Sequence, residues 1–249
     1  MNKETTIVEV CTVANPIKDI NELKERVQSI QSHDSWYLSS RVENDGKAGN
    51  VFEDLLGIEE NNRRGSDVVC LDGTECEIKT SKTKGTAMTM AGLVPKYCIP
   101  QREGINRYGT GESPRRFYAT YKVGAINPRG LKTEIKDDFV VISDNQTNEE
   151  VMKWSVDSII DKLKSKCRNI VYTRADKNKI DEKEVFKYKE SKYYESFNPD
   201  KARKLLTEGK IVIETRSKIK PDGKIRDRGT VFRVPRHHLP ELYDNIHNW

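Results

Sequence analysis

The stretch Asp67-Val68-Val69-Cys70-Leu71-Asp72-Gly73-Thr74-Glu75-Cys76-Glu77-Ile78-Lys79 constrains this chain more than any other. A short apolar run opens with an acid and reaches an Asp-Gly pair, a dipeptide suited to tight hairpin turns. The second run carries an acid and a lysine two apart, and side chains at that spacing project from one face of a strand. Glu77 and Lys79 therefore reach one point in space.

Whether Asp67 joins them depends on the turn. A turn of only Asp72-Gly73 pairs Leu71 with Thr74 and Asp67 with Ile78, on the face opposite Glu77. A longer loop, Asp72-Gly73-Thr74 with Gly73 left-handed, pairs Leu71 with Glu75. It sets Asp67 opposite Lys79, on the face of Glu77. Convergence of the acids thus predicts an odd-length loop or a bulge. Glu75 shares that face but lies nearer the turn and is set aside. Two carboxylates hold a hard cation such as Mg2+ through oxygen. A lysine beside them orients or activates water, or stabilises charge on a phosphate. This is equipment for metal-assisted phosphodiester hydrolysis.

The chain has 249 residues, enough for one large domain or two lobes sharing a cleft. Apolar residues make up 35% and charged residues 33%, so a core is affordable and global disorder is excluded. Cys11, Cys70, Cys76, Cys98 and Cys167 are scattered without CxxC spacing, which argues against a zinc knuckle. They read as reduced thiols of a cytoplasmic protein, with Cys70 and Cys76 as core residues. No secretory leader is expected, and no segment approaches the roughly 20 apolar residues that span a bilayer.

Along the chain, Ile20, Leu23, Val27 and Ile30 predict a helix over 16–31, opened by Asn15-Pro16. A glycine-bearing turn at 44–50 precedes a second helix, Val51–Ile58. On pattern alone Glu53 reads as a solvated helix acid, and Asp54, Glu59 and Glu60 as surface charge. Residues 81–116 lack clean periodicity. Strands are expected at Phe117–Ile126, Phe139–Ile142, Asn169–Thr173 and Val185–Tyr188, with a helix at about 153–166. Asn198-Pro199 opens a helix ending at Gly209, followed by paired strands Ile211–Thr215 and Thr230–Val234.

The charge is concentrated near the C-terminus. Glu214 to Arg236 holds eight Lys or Arg against three acids, a net of +5, which equals the excess of the whole chain. A solvated surface hairpin is one reading. A duplex-binding element fits better, because a two-stranded ribbon or its loop enters the major groove. Arg216, Lys218, Arg226, Asp227, Arg228 and Arg233 are the candidate DNA-binding residues, with His237 as an outlying one. The four histidines have no metal-ligand spacing.

Taken together, Gly46-Lys47-Ala48-Gly49-Asn50-Val51-Phe52-Glu53-Asp54-Leu55-Leu56-Gly57, Asp67, Glu77-Ile78-Lys79-Thr80 and Asp227-Arg228-Gly229-Thr230-Val231-Phe232-Arg233 resemble the MvaI/BcnI type II restriction endonucleases. These are similar to the mismatch-repair nickase MutH. The resemblance runs from about residue 40 to residue 240. It implies an α/β, two-lobed PD-(D/E)xK fold, with a central mixed sheet flanked by helices and a DNA cleft. A catalytic lobe over 1–155 and a DNA-recognition lobe over 156–249 are the expected domains. Asp67 and Glu77 are implied as Mg2+ ligands, with Mn2+ able to substitute, and Lys79 as the residue that helps activate the water. Glu53 is implied as a helix acid supporting the site. The segment before Asp67, Arg63-Arg64-Gly65-Ser66, lacks the proline found in many members of the wider superfamily.

The resemblance also implies a monomer that binds double-stranded DNA, nicks one strand and then turns round for the other. A companion DNA methyltransferase is expected with it. The alternatives are a MutH-like repair nickase and a DNA-binding protein without catalysis.

Overall fold

The computed structural model describes residues 6–10, 14–39, 47–59, 65–81 and 87–249. Cys11, the Asn44–Gly46 part of the expected turn, Glu60, Arg63 and Arg64 lie outside the described residues. The chain runs β1 (Ile7–Val10), α1 (Ile20–Ser32), β2 (Trp36–Ser39), α2 (Lys47–Leu56), β3 (Val68–Val69) and β4 (Glu75–Ser81). It continues through β5 (Ala87–Gly92), β6 (Tyr97–Cys98), α3 (Gln101–Tyr108), β7 (Arg115–Tyr121), β8 (Ala125–Ile126), β9 (Leu131–Lys136), β10 (Phe139–Asp144) and β11 (Glu150–Ser155). There follow α4 (Val156–Lys166), β12 (Ile170–Ile180), β13 (Lys183–Phe197), α5 (Pro199–Thr207), β14 (Val212–Ile219) and β15 (Ile225–Pro235). A 3-10 turn (Arg236–Leu242) and β16 (Tyr243–Asn248) complete it. Among the described residues, no helix is long and apolar enough to cross a membrane.

The chain divides into two compact units. One comprises the described part of Met1–Thr86 with Lys166–Phe197 and Tyr243–Trp249; the other comprises Ala87–Ser165 and Asn198–Leu242. Each is assembled from separate stretches, whereas the sequence reading placed a single boundary after residue 155.

The first unit is built on a mixed sheet in the order β1-β2-β13-β12-β4-β3, with β16 also paired to β13. β4 runs parallel to β12 and antiparallel to β3. Helices α1 and α2 bury Leu23, Val27, Ala48, Val51, Phe52 and Leu56 against Cys76, Ile78, Val171, Phe186 and Tyr188. Because β4 alternates, placing Cys76 and Ile78 in this core puts Glu77 and Lys79 on its other face.

Helix α1 starts later than Asn15-Pro16 suggested. Asp19 is its N-cap, accepting the amides of Asn21 and Glu22 at 2.9 and 3.0 Å. The segment before it has another task, since the carbonyls of Ile17 and Lys18 accept the amides of Leu71 and Asp72 at 2.9 and 3.1 Å. Helix α2 starts earlier than expected and includes Gly49, where a Cβ would lie 3.3 Å from Thr80 Oγ1. The missing side chain allows α2 to approach β4 closely. Asp54, read as surface charge, is buried.

In the second unit, β5-β15-β14-β7 form one sheet and β6-β11-β10-β9-β8 another. The helix expected at about 153–166 splits. Its first part is strand β11, paired with β10, and the indole of Trp154 donates to the Leu93 carbonyl at 3.2 Å. Only Val156 onward is helical. The 81–116 region contains β5, β6 and α3. The period of α3 is hard to read because Gly104 is one of its three buried positions, beside Phe117.

Candidate active site

The β3–β4 hairpin pairs Val68 with Cys76 and Val69 with Glu75. The Cys70 amide donates to the Thr74 carbonyl at 2.8 Å, and Gly73 donates back to the Cys70 carbonyl at 2.9 Å. The connection is therefore Leu71-Asp72-Gly73, with Gly73 at φ +86°. An odd-length loop with left-handed Gly73 was expected, but it is displaced by one residue. Three hydrogen bonds fix the displacement: the amides of Leu71 and Asp72 donate to the Ile17 and Lys18 carbonyls, and Asp72 accepts the Thr74 amide at 2.8 Å. Continued one step, this register sets Asp67 beside Glu77 rather than opposite Lys79.

Asp67 is fixed by its own side chain. Its Oδ2 accepts the Ile78 amide at 2.9 Å. The neighbouring Glu77 amide donates to the Asn169 carbonyl at 2.9 Å, and the Asn169 side-chain amide donates to the Glu75 carbonyl at 2.8 Å. The strand carrying Glu77 is thus held on both sides.

Glu77 is buried, with its side chain only 1% exposed. The Lys79 ammonium donates to its Oε1. A second ammonium, that of Lys166 at the end of α4, lies 3.1 Å from the same oxygen. Glu77 Oε2 is buried without a hydrogen-bond partner among the described residues. Burial pushes the Glu77 carboxyl above its ordinary pKa, Lys79 opposes that rise and Asp67 adds to it. Burial, the largest single influence, works against the Lys79 ammonium, but the charge and hydrogen bond of Glu77 together with Cys167 and Asp67 outweigh it and the amine's pKa is raised. Cys167, also buried here, has its thiol pushed up to about 12 by burial.

Glu53 is placed differently. Its Oε1 and Thr80 Oγ1 lie 3.9 and 3.3 Å from the point a Cβ on Gly49 would occupy. Thr80 shares the face of Ile78, so Glu53 stands on the helix-covered side of β4, away from the side chains of Glu77 and Lys79. Among the described residues, no group of three or more His, Cys, Asp or Glu is close enough to hold a metal. The convergent acids are therefore the pair Asp67 and Glu77. Their oxygens suit a hard cation that completes its shell with water, phosphate or backbone oxygen, and the partnerless buried Oε2 fits that use.

The other candidates belong to the second unit. Arg216 and Arg233 share Glu214: Arg216 Nη2 lies 2.6 Å from its Oε2, and Arg233 Nη1 lies 2.5 Å from its Oε1. Arg233 also donates to the Ala87 carbonyl, so it braces β14, β15 and β5. Asp227, itself exposed, pairs with the buried Ser217 and lines a cavity of about 300 Å³ with Phe117 and Thr215. Its Oδ1 accepts the Gly229 amide at 2.9 Å. Arg226 and Arg228 are exposed, and His237 is exposed beside His238.

Lys218 lies in register with Arg226 on one side and with Arg116 on the other. Neither Arg116 nor Lys166 is among the candidate site residues that the sequence points to. Arg116 became relevant only through the pairing of β7 with β14. Lys166 sits in a lysine-rich helix end with no pattern to mark it.

A mixed α/β sheet that brings two acids and two lysines together has the groups needed for hydrolytic chemistry on a phosphate. The sequence matches the model of the MvaI/BcnI restriction endonuclease family over residues 25–243. The chain belongs to that family, whose members are DNA-cleaving enzymes. Its fold is similar to the solved structure of restriction endonuclease MvaI in complex with cognate DNA substrate, with a TM-score of 0.73 at 24% identity over 92% of this chain and 97% of that one. MvaI in the absence of DNA matches with a TM-score of 0.52 at 24% identity, over 94% of this chain and 99% of that one. No curated protein matches the chain.

Proposed function

We propose that this protein is a type II restriction endonuclease of the PD-(D/E)xK kind, a Mg2+-dependent enzyme that cuts both strands of DNA at a short sequence. The observation that carries this reading is the acid pair: Asp67 is locked to the Ile78 amide beside a buried Glu77 whose Oε1 takes Lys79 and whose Oε2 has no protein partner. Asp67 and Glu77 would hold the cation. When bound, Mg2+ supplies Lewis-acid polarisation of the scissile phosphate. Lys79, fixed by Glu77, orients the attacking water. Glu53 acts from the helix side as a support for this strand rather than as a ligand. The exposed face of the β5-β15-β14-β7 sheet, with Lys218, Arg226 and Arg228, takes the DNA backbone.

The protein acts as a monomer that nicks one strand and reorients for the other, and a companion methyltransferase protects the host site. Incubation of pure protein with a sequenced plasmid and Mg2+ tests the reading. Fragments with one defined sequence at every end are expected, while Lys79→Ala binds the same DNA without cutting it. Nicked circles that never become linear would support a MutH-like nickase. Salt-sensitive binding with no cleavage in Mg2+ or Mn2+ would leave a DNA-binding protein.

A further inference from the structure

Lys166 is the less expected cation at the acid pair. It is the last residue of α4, and its Nζ lies 3.1 Å from Glu77 Oε1 and 3.4 Å from the Gly65 carbonyl. In return, the Ser66 hydroxyl donates to the Lys166 carbonyl at 3.3 Å. The end of α4 is therefore tied at two points to the residues that lead into Asp67. Ser66, the residue immediately before Asp67, supplies one of these ties.

The charges explain why a second lysine matters. Lys79 alone matches the single charge of Glu77, and Lys166 places another ammonium on the same oxygen. With Asp67, the four side chains sum to zero. A divalent cation entering this site meets no net negative charge unless one ammonium withdraws. Lys79 is adjacent on the same strand and faces Glu77 by the alternation of β4. Lys166 reaches the same oxygen from a helix end, at 3.1 Å and so less closely than Lys79, while the two lysine side chains are similarly exposed, 24% and 20%. Lys166, which makes the looser contact, is the one to withdraw.

We propose that Lys166 is a displaceable counter-ion: it holds Glu77 and the Gly65–Asp67 segment in place while the site is metal-free, and it competes with the divalent cation for Glu77. It is a positioning residue, and its role rests on the metal-site reading above.

Calorimetric titration of the DNA-free protein with Mn2+ tests this directly. Lys166→Met should bind Mn2+ about tenfold more tightly than wild type, because a unit charge at this range repels the cation by more than that ratio requires. Lys166→Arg, which keeps the charge, should stay close to wild type. Lys166→Gln provides a second neutral variant should the methionine perturb folding, and Lys79 still neutralises Glu77 in each. A merely structural lysine would instead lower both thermal stability and metal affinity when removed. Wild-type binding that the neutral variants leave equal or weaken overturns the competition while leaving the metal site standing. Absence of Mn2+ binding in wild type and variants alike, matching Glu77→Ala, overturns the metal-site reading and this inference with it.

Discussion

Asp67 reaches β4 through a backbone contact: its Oδ2 accepts the Ile78 amide at 2.9 Å, one residue from Glu77. The carboxylate therefore has a structural task and, on the proposed reading, a chemical one. Asn and Ala separate the two. Asp67→Asn keeps an oxygen for the Ile78 amide and should retain thermal stability, while Mn2+ affinity and cleavage fall steeply. Asp67→Ala also leaves that amide unsatisfied, which costs about 1–3 kcal/mol. Cleavage by Asp67→Asn at the wild-type rate would remove Asp67 from the metal site.

The oxygen shared by Lys79 and Lys166 predicts strong non-additivity. Either lysine alone still neutralises Glu77, so Lys79→Met and Lys166→Met should each be tolerated by the fold. The double variant leaves a carboxylate that is only 1% exposed with no counter-charge. A coupling of roughly 1–3 kcal/mol is expected between the two sites in denaturant unfolding. Simple additivity would mean that the two ammonium groups do not act on Glu77 together.

How far the sequence revealed this site depends on what each step required. The Glu77-Ile78-Lys79 alternation was readable because a strand's period is fixed by backbone geometry. The parity of the hairpin was readable for the same reason, since only an odd loop puts Asp67 and Glu77 on one face. The register was not. It is set by Ile17 and Lys18, some fifty residues upstream, whose carbonyls receive the turn amides. Lys166 was not readable either, because a parallel pairing of β12 with β4 brings the end of α4 to Glu77. Glu53 shows the reverse case. Only family resemblance implied a supporting role for it, since its helix pattern reads as a solvated acid, and it stands near Thr80 on the helix side of β4. In the second unit, the basic hairpin was visible as composition. Which cations stand at one level of the sheet required the strand pairing, and the same pairing sets the exposed Asp227 opposite the buried Ser217.

The raised Glu77 carboxyl predicts a pH dependence with a definite sign. An unfolded chain releases this proton near pH 4.5, whereas the folded site keeps it to higher pH, chiefly because of burial. Over that window the native state holds more protons, so this group's contribution to stability declines as pH rises through the folded pKa. Divalent binding needs the ionised carboxylate, so metal affinity should climb over the same window, with its acid limb above pH 4.5. Lys79 opposes the rise, and Lys79→Met should move the limb to still higher pH. Calorimetry with Mn2+ across this range reads it. A limb unmoved by Lys79→Met would mean that another group controls the titration.

The row Arg116, Lys218 and Arg226 crosses β7, β14 and β15 at one level of the sheet. Neighbouring strands are about 4.8 Å apart, so these cations span roughly 10 Å. Like charges set directly opposite each other are destabilising. None of the three has an ion-pair partner among the described residues, unlike Arg216 and Arg233, which share Glu214. A row sustained in this way is suited to phosphates. Arg116→Ala should leave folding stability unchanged or slightly higher. It should weaken DNA binding evenly across sequences and reduce the slope of log affinity against log salt by about 0.9. Arg233→Ala should behave differently, losing about 1–3 kcal/mol of stability because it withdraws donors from Glu214 and the Ala87 carbonyl. Titration of labelled duplex at several salt concentrations, with Ca2+ in place of Mg2+, reads both variants. An unaltered salt slope for Arg116→Ala would confine the DNA-binding face to β14 and β15.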